Sequence, residues 1–144
     1  MLVRDVMSAP VFTIREDKTL RVADEIMNWA HIRHVPVVDA KGRLVGILSH
    51  RDLLSAAIST LAVGISNVER AQRMASTDVR KIMKQPIAVI APGDSVQQAA
   101  HQLLSRKIGC LPVIEDDKLV GIVTAADLLR LVEKYRPKAG GPAE

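Results

Sequence analysis

The sequence predicts a mixed α/β (α+β) fold made of two copies of one unit, each running strand, helix, strand, strand, helix. Three observations carry that prediction. The segment Gly46-Ile47-Leu48-Ser49-His50-Arg51-Asp52-Leu53-Leu54 returns as Gly121-Ile122-Val123-Thr124-Ala125-Ala126-Asp127-Leu128-Leu129. With a shift of roughly 76 positions and one deletion near Gly42, about fifty residues pair and about sixteen are identical, against roughly three by chance. Within each copy, short β-branched runs alternate with stretches of helical period.

Each element has its own reason. Val3 to Met7 reads as a short helical lead-in, after which Pro10 resets the chain for an extended Val11-Phe12-Thr13-Ile14. The second copy repeats this with Val79 to Met83, Pro86 and Ile87-Ala88-Val89-Ile90. Thr19 and Ser95 stand where N-caps belong, ahead of helices whose apolar positions fall at Leu20, Ala23, Met27 and Ala30 and at Val96, Ala99 and Leu103. Val35-Pro36-Val37-Val38 and Leu111-Pro112-Val113-Ile114 read as strands; because proline has no ladder donor, Pro36 and Pro112 are expected at a strand start or edge. Polar turns at 40–43 and 115–118 lead into strands at 44–48 and 119–123, closing a hairpin in each copy. Ser49 and Thr124 cap the last helix of each copy.

Between the copies, Ile58, Leu61, Ile65 and Val68 follow 3-4-3 spacing, an amphipathic helix interrupted or ended near Gly64. Its seam is too short for a coiled coil with a second subunit, so internal packing is expected. The organisation is then 1–57 for the first repeat, 58–78 for a helical linker, 79–136 for the second repeat and 137–144 for a disordered tail.

Composition narrows the function. A chain of 144 residues with 48% hydrophobic content can bury a core. Phe12, Trp29 and Tyr135 are its only aromatics, so Val, Ile, Leu, Ala and Met must fill the interior and few surfaces remain for stacking bases. The net charge of +4 is scattered, with no basic block beyond two residues, which speaks for a solvated surface and against a nucleic-acid-binding module. Cys110 stands alone and cannot form an internal disulfide, as suits a reducing compartment. No apolar run approaches the roughly 20 residues of a membrane helix, and Met1-Leu2-Val3-Arg4-Asp5 has no secretory apolar region, so a cytoplasmic protein is expected. His31 and His34 lack the further ligands a metal site needs. No catalytic triad order, paired carboxylates or phosphate-binding glycine loop can be read, so neither an enzyme nor a required cofactor is expected.

Two copies of this order, each with a hydrophobic-Pro strand, a Met-x-x-Pro segment upstream and a Gly-hydrophobic-hydrophobic-Ser/Thr-x-x-Asp junction, resemble a tandem pair of CBS domains, the Bateman module named for cystathionine β-synthase. The resemblance covers residues 3 to 134. It implies two repeats packed with pseudo-two-fold symmetry, clefts that take AMP, ADP, ATP or S-adenosylmethionine as a regulatory ligand, and a homodimer. The implied role is a free-standing energy or metabolite sensor. The rival reading is a protein-interaction scaffold with vestigial clefts and a partner that the sequence does not name.

Asp52 and Asp127 fit the implied chemistry, because a carboxylate can accept hydrogen bonds from both hydroxyls of a ribose. Each follows its capping hydroxyl, Ser49 or Thr124, by three residues and so lies in a first helical turn, near backbone N–H groups and the positive end of the helix dipole. The plainer reading is a capping box, in which the carboxylate only satisfies a backbone N–H. Gly46 and Gly121 serve either ligand clearance or close packing. Arg33, His34 and Arg51 are candidates for phosphate, and equally for solvated surface. The second copy has Gly109, Cys110 and Ala126 at those places, with Lys107 as its nearest cation, so the two clefts are expected to differ. Thr13 and Val89 match positions that contact ligand in the family, and are also ordinary strand residues. Pro36 and Pro112 complete the candidate ligand-binding set.

Overall fold

Each lead-in segment is built into the unit that holds the other repeat. In a computed structural model, which describes residues 1–57, 66–85 and 87–135, one unit comprises residues 1–9 and 89–144 and the other residues 10–88. The repeat boundaries at 1–57 and 79–136 therefore do not bound the packed units. Ile58, Leu61, Gly64, Ile65 and Pro86, with the tail 137–144 expected to be disordered, lie outside the described residues.

In chain order the elements are α1 (Val3–Val6), β1 (Ile14–Arg15), α2 (Leu20–Ala30), β2 (His34–Val38), β3 (Leu44–Ser49), α3 (His50–Ala57), α4 (Asn67–Ser76), a 3-10 turn (Val79–Lys81), α5 (Val96–Arg106), β4 (Cys110–Glu115), β5 (Lys118–Thr124) and α6 (Ala125–Lys134). In the unit of residues 10–88, β1 runs parallel to β2 and β2 antiparallel to β3. Its core gathers Ile14, Leu20, Ala23, Met27, Val35, Val37, Leu48, Leu53 and Val79. Helical spacing puts Leu20, Ala23 and Met27 on one face of α2, and strand alternation puts Val35 and Val37 on one face of β2. Val79 comes from the second repeat's lead-in; burying such a side chain stabilises by about 1.5 to 3 kcal/mol. In the other unit, Val3, Ile90, Ala99, Leu103, Leu111, Val113 and Val123 are buried at the matching places.

The lead-ins are held by backbone bonds as well as by burial. Lys84 and Ile47 exchange N–H···O bonds of 2.8 and 3.2 Å, and Ser8 and Ile122 do the same at 2.8 and 3.0 Å. Those bonds decide the fate of both prolines. Because Ile47 and Ile122 spend their donor and acceptor on the lead-ins, their ladder partners Pro36 and Pro112 sit in non-hydrogen-bonded pairs, and each proline nitrogen turns to the strand's other side. There it cannot donate, and the first strand stops.

That corrects two expectations. Pro36 is the third of five residues in a strand paired on both sides, neither its start nor an edge. The expected strand at 11–14 shrinks to Ile14–Arg15, and its counterpart at 87–90 to a single bridge, in which Ile90 donates to the Pro112 carbonyl at 3.1 Å and accepts from Ile114 at 2.9 Å.

Caps and turns also differ between the copies. Ser95 closes a full capping box with Gln98, whereas the Thr19 side chain makes no capping bond and the Leu20 N–H donates instead to the Thr77 carbonyl at 2.9 Å. In the second hairpin, Asp116 and Asp117 both take positive φ, 50° and 61°, as a two-residue type I′ turn requires. Helix α4 is capped by Ser66 and buries none of its residues; Val68 is 66% exposed, so that member of the expected seam is not packed inside.

Candidate functional site

Asp52 and Asp127 are each held by the strand-to-helix junction, but not equally. At the first junction the Ser49 hydroxyl donates to Asp52 Oδ2 at 2.8 Å while accepting from the Asp52 N–H at 3.1 Å. Oδ1 faces the Lys84 ammonium at 3.6 Å, an ion pair beyond hydrogen-bond reach, and the carboxylate side chain keeps 20% of its exposure. At the second junction Oδ2 accepts from the Thr124 N–H at 2.9 Å and its hydroxyl at 3.1 Å, and Oδ1 accepts from Arg130 Nη1 at 2.8 Å. With a side chain only 5% exposed, Asp127 completes a capping box and has both oxygens engaged.

The capping reading therefore describes Asp127 in full, and Asp52 in part. Among the described residues, Asp52 keeps an oxygen with no hydrogen-bond donor of its own. The glycines are also accounted for: a Cβ on Gly46 would meet Met83 Sδ at 2.5 Å, and one on Gly121 would meet Met7 Sδ at 2.5 Å and the Ser8 carbonyl at 3.2 Å. Close packing of the lead-in methionines is what these positions require.

Around Asp52, His34 pairs with Ser49 across β2 and β3. Burial pushes its pKa below 6.5; the Asp52 carboxylate pulls it up and Arg33 presses it down. The imidazole is thus neutral at pH 7, a hydrogen-bonding group and not a charge. Arg51 and Thr13 are exposed, while Pro36 is buried in its strand. Arg33 is exposed and lines a surface groove of about 240 Å³ with Met27, Asn28, His31, Ile32 and His50. That groove falls below the roughly 300 Å³ at which ligand pockets begin, and Asp52 is not part of its lining. The junction joins Asp52, Ser49 and His34; it does not bring Arg33 into the same lining.

In the other unit, Val89 is 44% exposed just before the Ile90 bridge and Pro112 is buried. Lys107 is exposed at the left-handed C-cap of α5, φ 54°, the place His31 holds on α2 with φ 55°. Cys110 is buried and its thiol is pushed up to about 12, which leaves it protonated and unreactive at neutral pH.

Two side chains at the site were not foreseen. Arg130 follows Asp127 by three residues on one helix, a spacing that sequence alone displays. Lys84 carried no such signal, since only the lead-in exchange brings it to Asp52. Among the described residues, no group of three His, Cys, Asp or Glu could hold a metal ion, and no helix is long and apolar enough to cross a membrane.

Paired α/β repeats with duplicated hydroxyl-carboxylate junctions define the class as a tandem-repeat module. The chain belongs to the CBS domain family, whose profile matches residues 3–59 and 79–134. It is 38% identical over 135 residues to a CBS domain-containing protein of Dictyostelium discoideum, covering 93% of this chain and 92% of that one. It is also 27% identical over 134 residues to the homoserine O-acetyltransferase of Methanohalobium evestigatum, a match that covers 92% of this chain and 24% of that enzyme.

Solved structures agree on the fold. A CBS domain pair in complex with 5′-methylthioadenosine and S-adenosyl-L-methionine superposes with a TM-score of 0.77 at 28% identity, covering 92% of this chain and 96% of that one. The protein CBSX2 in complex with AMP gives 0.73 at 25% identity, with coverage of 92% and 96%.

Proposed function

We propose that this chain is a regulatory sensor of adenosine-containing ligands, with AMP, ADP, ATP and S-adenosylmethionine as the candidates, and that Asp52 accepts the ribose hydroxyls. The observation that carries the reading is the Asp52 carboxylate, partly buried and oriented by Ser49, whose Oδ1 has an ammonium 3.6 Å away but, among the described residues, no hydrogen-bond donor. The ligands named for two related CBS pairs support the ligand class. Asp127, with both oxygens engaged, supports an unequal pair of sites in which the Asp52 side dominates.

Regulation follows if the ligand binds two arrangements of the protein unequally; a coupling of about 1 to 3 kcal/mol suffices. A thermal-shift panel of AMP, ADP, ATP, S-adenosylmethionine and adenosine tests the reading. A ligand at 100 times its Kd adds about 2.7 kcal/mol of stability and raises Tm visibly. No shift across the panel would reject it.

A second reading, assembly with another copy of the chain, draws on Leu104, Leu129 and Val132 on α5 and α6, exposed at 79%, 68% and 70%. Light scattering that returns a monomer mass at micromolar concentration would remove the homodimer.

A further inference from the structure

We propose that Lys84 is the residue by which the Asp52 site tells a phosphorylated ligand from an uncharged nucleoside; this rests on the reading of Asp52 as the ribose acceptor. The Lys84 ammonium is drawn to Asp52 Oδ1 without a hydrogen bond, 3.6 Å away, and its side chain is 74% exposed. An ion pair this exposed holds its partners weakly, so the ammonium is free to leave.

Its base, by contrast, is fixed. The Lys84 backbone exchanges two hydrogen bonds with Ile47, the Gln85 side chain donates to the Val45 carbonyl, and Met83 lies over Gly46. A four-carbon stem on an anchored backbone lets the charge sweep a short arc around the carboxylate.

Ribose hydroxyls docking on Asp52 take up its acceptor capacity and displace the ammonium from Oδ1, parting Lys84 from its close anionic partner. A phosphate on the same ligand returns one, and a stronger one, since it carries more charge and more acceptor oxygens. An uncharged nucleoside returns nothing. Selectivity for phosphate then comes from the exchange of one anionic partner for another.

The second junction has no such device. The residue in the place of Lys84, bridged to Ile122 as Lys84 is to Ile47, is the uncharged Ser8. The cation at Asp127 is Arg130, hydrogen-bonded at 2.8 Å to a carboxylate that is almost fully buried. One copy has a movable charge and the other a committed one.

Calorimetric titration of AMP and of adenosine into the full chain and its Lys84→Met, Lys84→Gln and Lys84→Arg variants tests this, with circular dichroism to verify folding. The two neutral variants should bind AMP about tenfold more weakly while adenosine changes less than about twofold, and Lys84→Arg should keep the wild-type AMP-to-adenosine ratio. A neutral variant that folds and keeps that ratio overturns the role of Lys84 and leaves the ribose reading standing. If the wild-type chain binds neither compound, the ribose reading falls first and this proposal with it.

Discussion

His34 lies directly across the β2–β3 ladder from Ser49, the hydroxyl that grips Asp52. Cys110 lies across from Thr124 at the matching place in the second copy. Both are uncharged at neutral pH, because burial lowers the imidazole below 6.5 and raises the thiol to about 12. Only the first can gain a charge on mild acidification, and it would gain it beside Asp52.

A stability signature follows. A histidine whose folded pKa is depressed binds fewer protons in the folded chain than in the unfolded one, so stability is lost as pH falls below 6.5 and the loss levels off below the folded pKa. Urea unfolding between pH 8 and pH 5 should show that decline in the wild-type chain and a shallower one in His34→Gln. Equal slopes would mean that His34 is not buried as described.

The two junction aspartates should separate by stability. Asp127→Ala removes a complete capping box and the Arg130 bond from a buried place, which should destabilise by about 1 to 2 kcal/mol. Asp52→Ala removes the acceptor of one hydroxyl bond and a loose, exposed ion pair, and should lose less. Thermal melts of both variants give the order; a larger loss at Asp52 would contradict it.

Close packing of glycine and methionine predicts a coupled pair. Gly46→Ala forces a methyl group against Met83 and should cost about 1 to 3 kcal/mol. In a Met83→Ala background the same change should cost much less, because the obstructing sulfur is gone. A double-mutant cycle with no coupling would show that Met83 does not cover Gly46.

The sequence displayed the parts of this fold that local pattern controls. The duplicated junction, the apolar faces of α2 and α5, and the capping hydroxyls of Ser49, Ser95 and Thr124 are matters of spacing, and each is observed. Long-range pairing was out of reach. Nothing local says that Val79 joins the core of residues 10–88, or that Ser8 and Lys84 occupy the far edges of hairpins from the other repeat. For that reason local pattern puts Pro36 at a strand start or edge, whereas its missing donor is tolerated mid-strand because Ile47 turns to Lys84. Lys84 is hidden for the same cause, and although the cations around the two clefts differ in sequence, sequence does not show which oxygens of Asp52 and Asp127 are already engaged.

Calorimetry of AMP binding to the wild-type chain and to Asp52→Ala addresses the central claim most directly. Loss of a carboxylate that accepts two ligand hydroxyls should weaken binding by about 1.5 to 3 kcal/mol, roughly ten- to a hundredfold, in a protein that still folds. A folded Asp52→Ala variant that binds AMP as tightly as the wild-type chain would contradict the assignment.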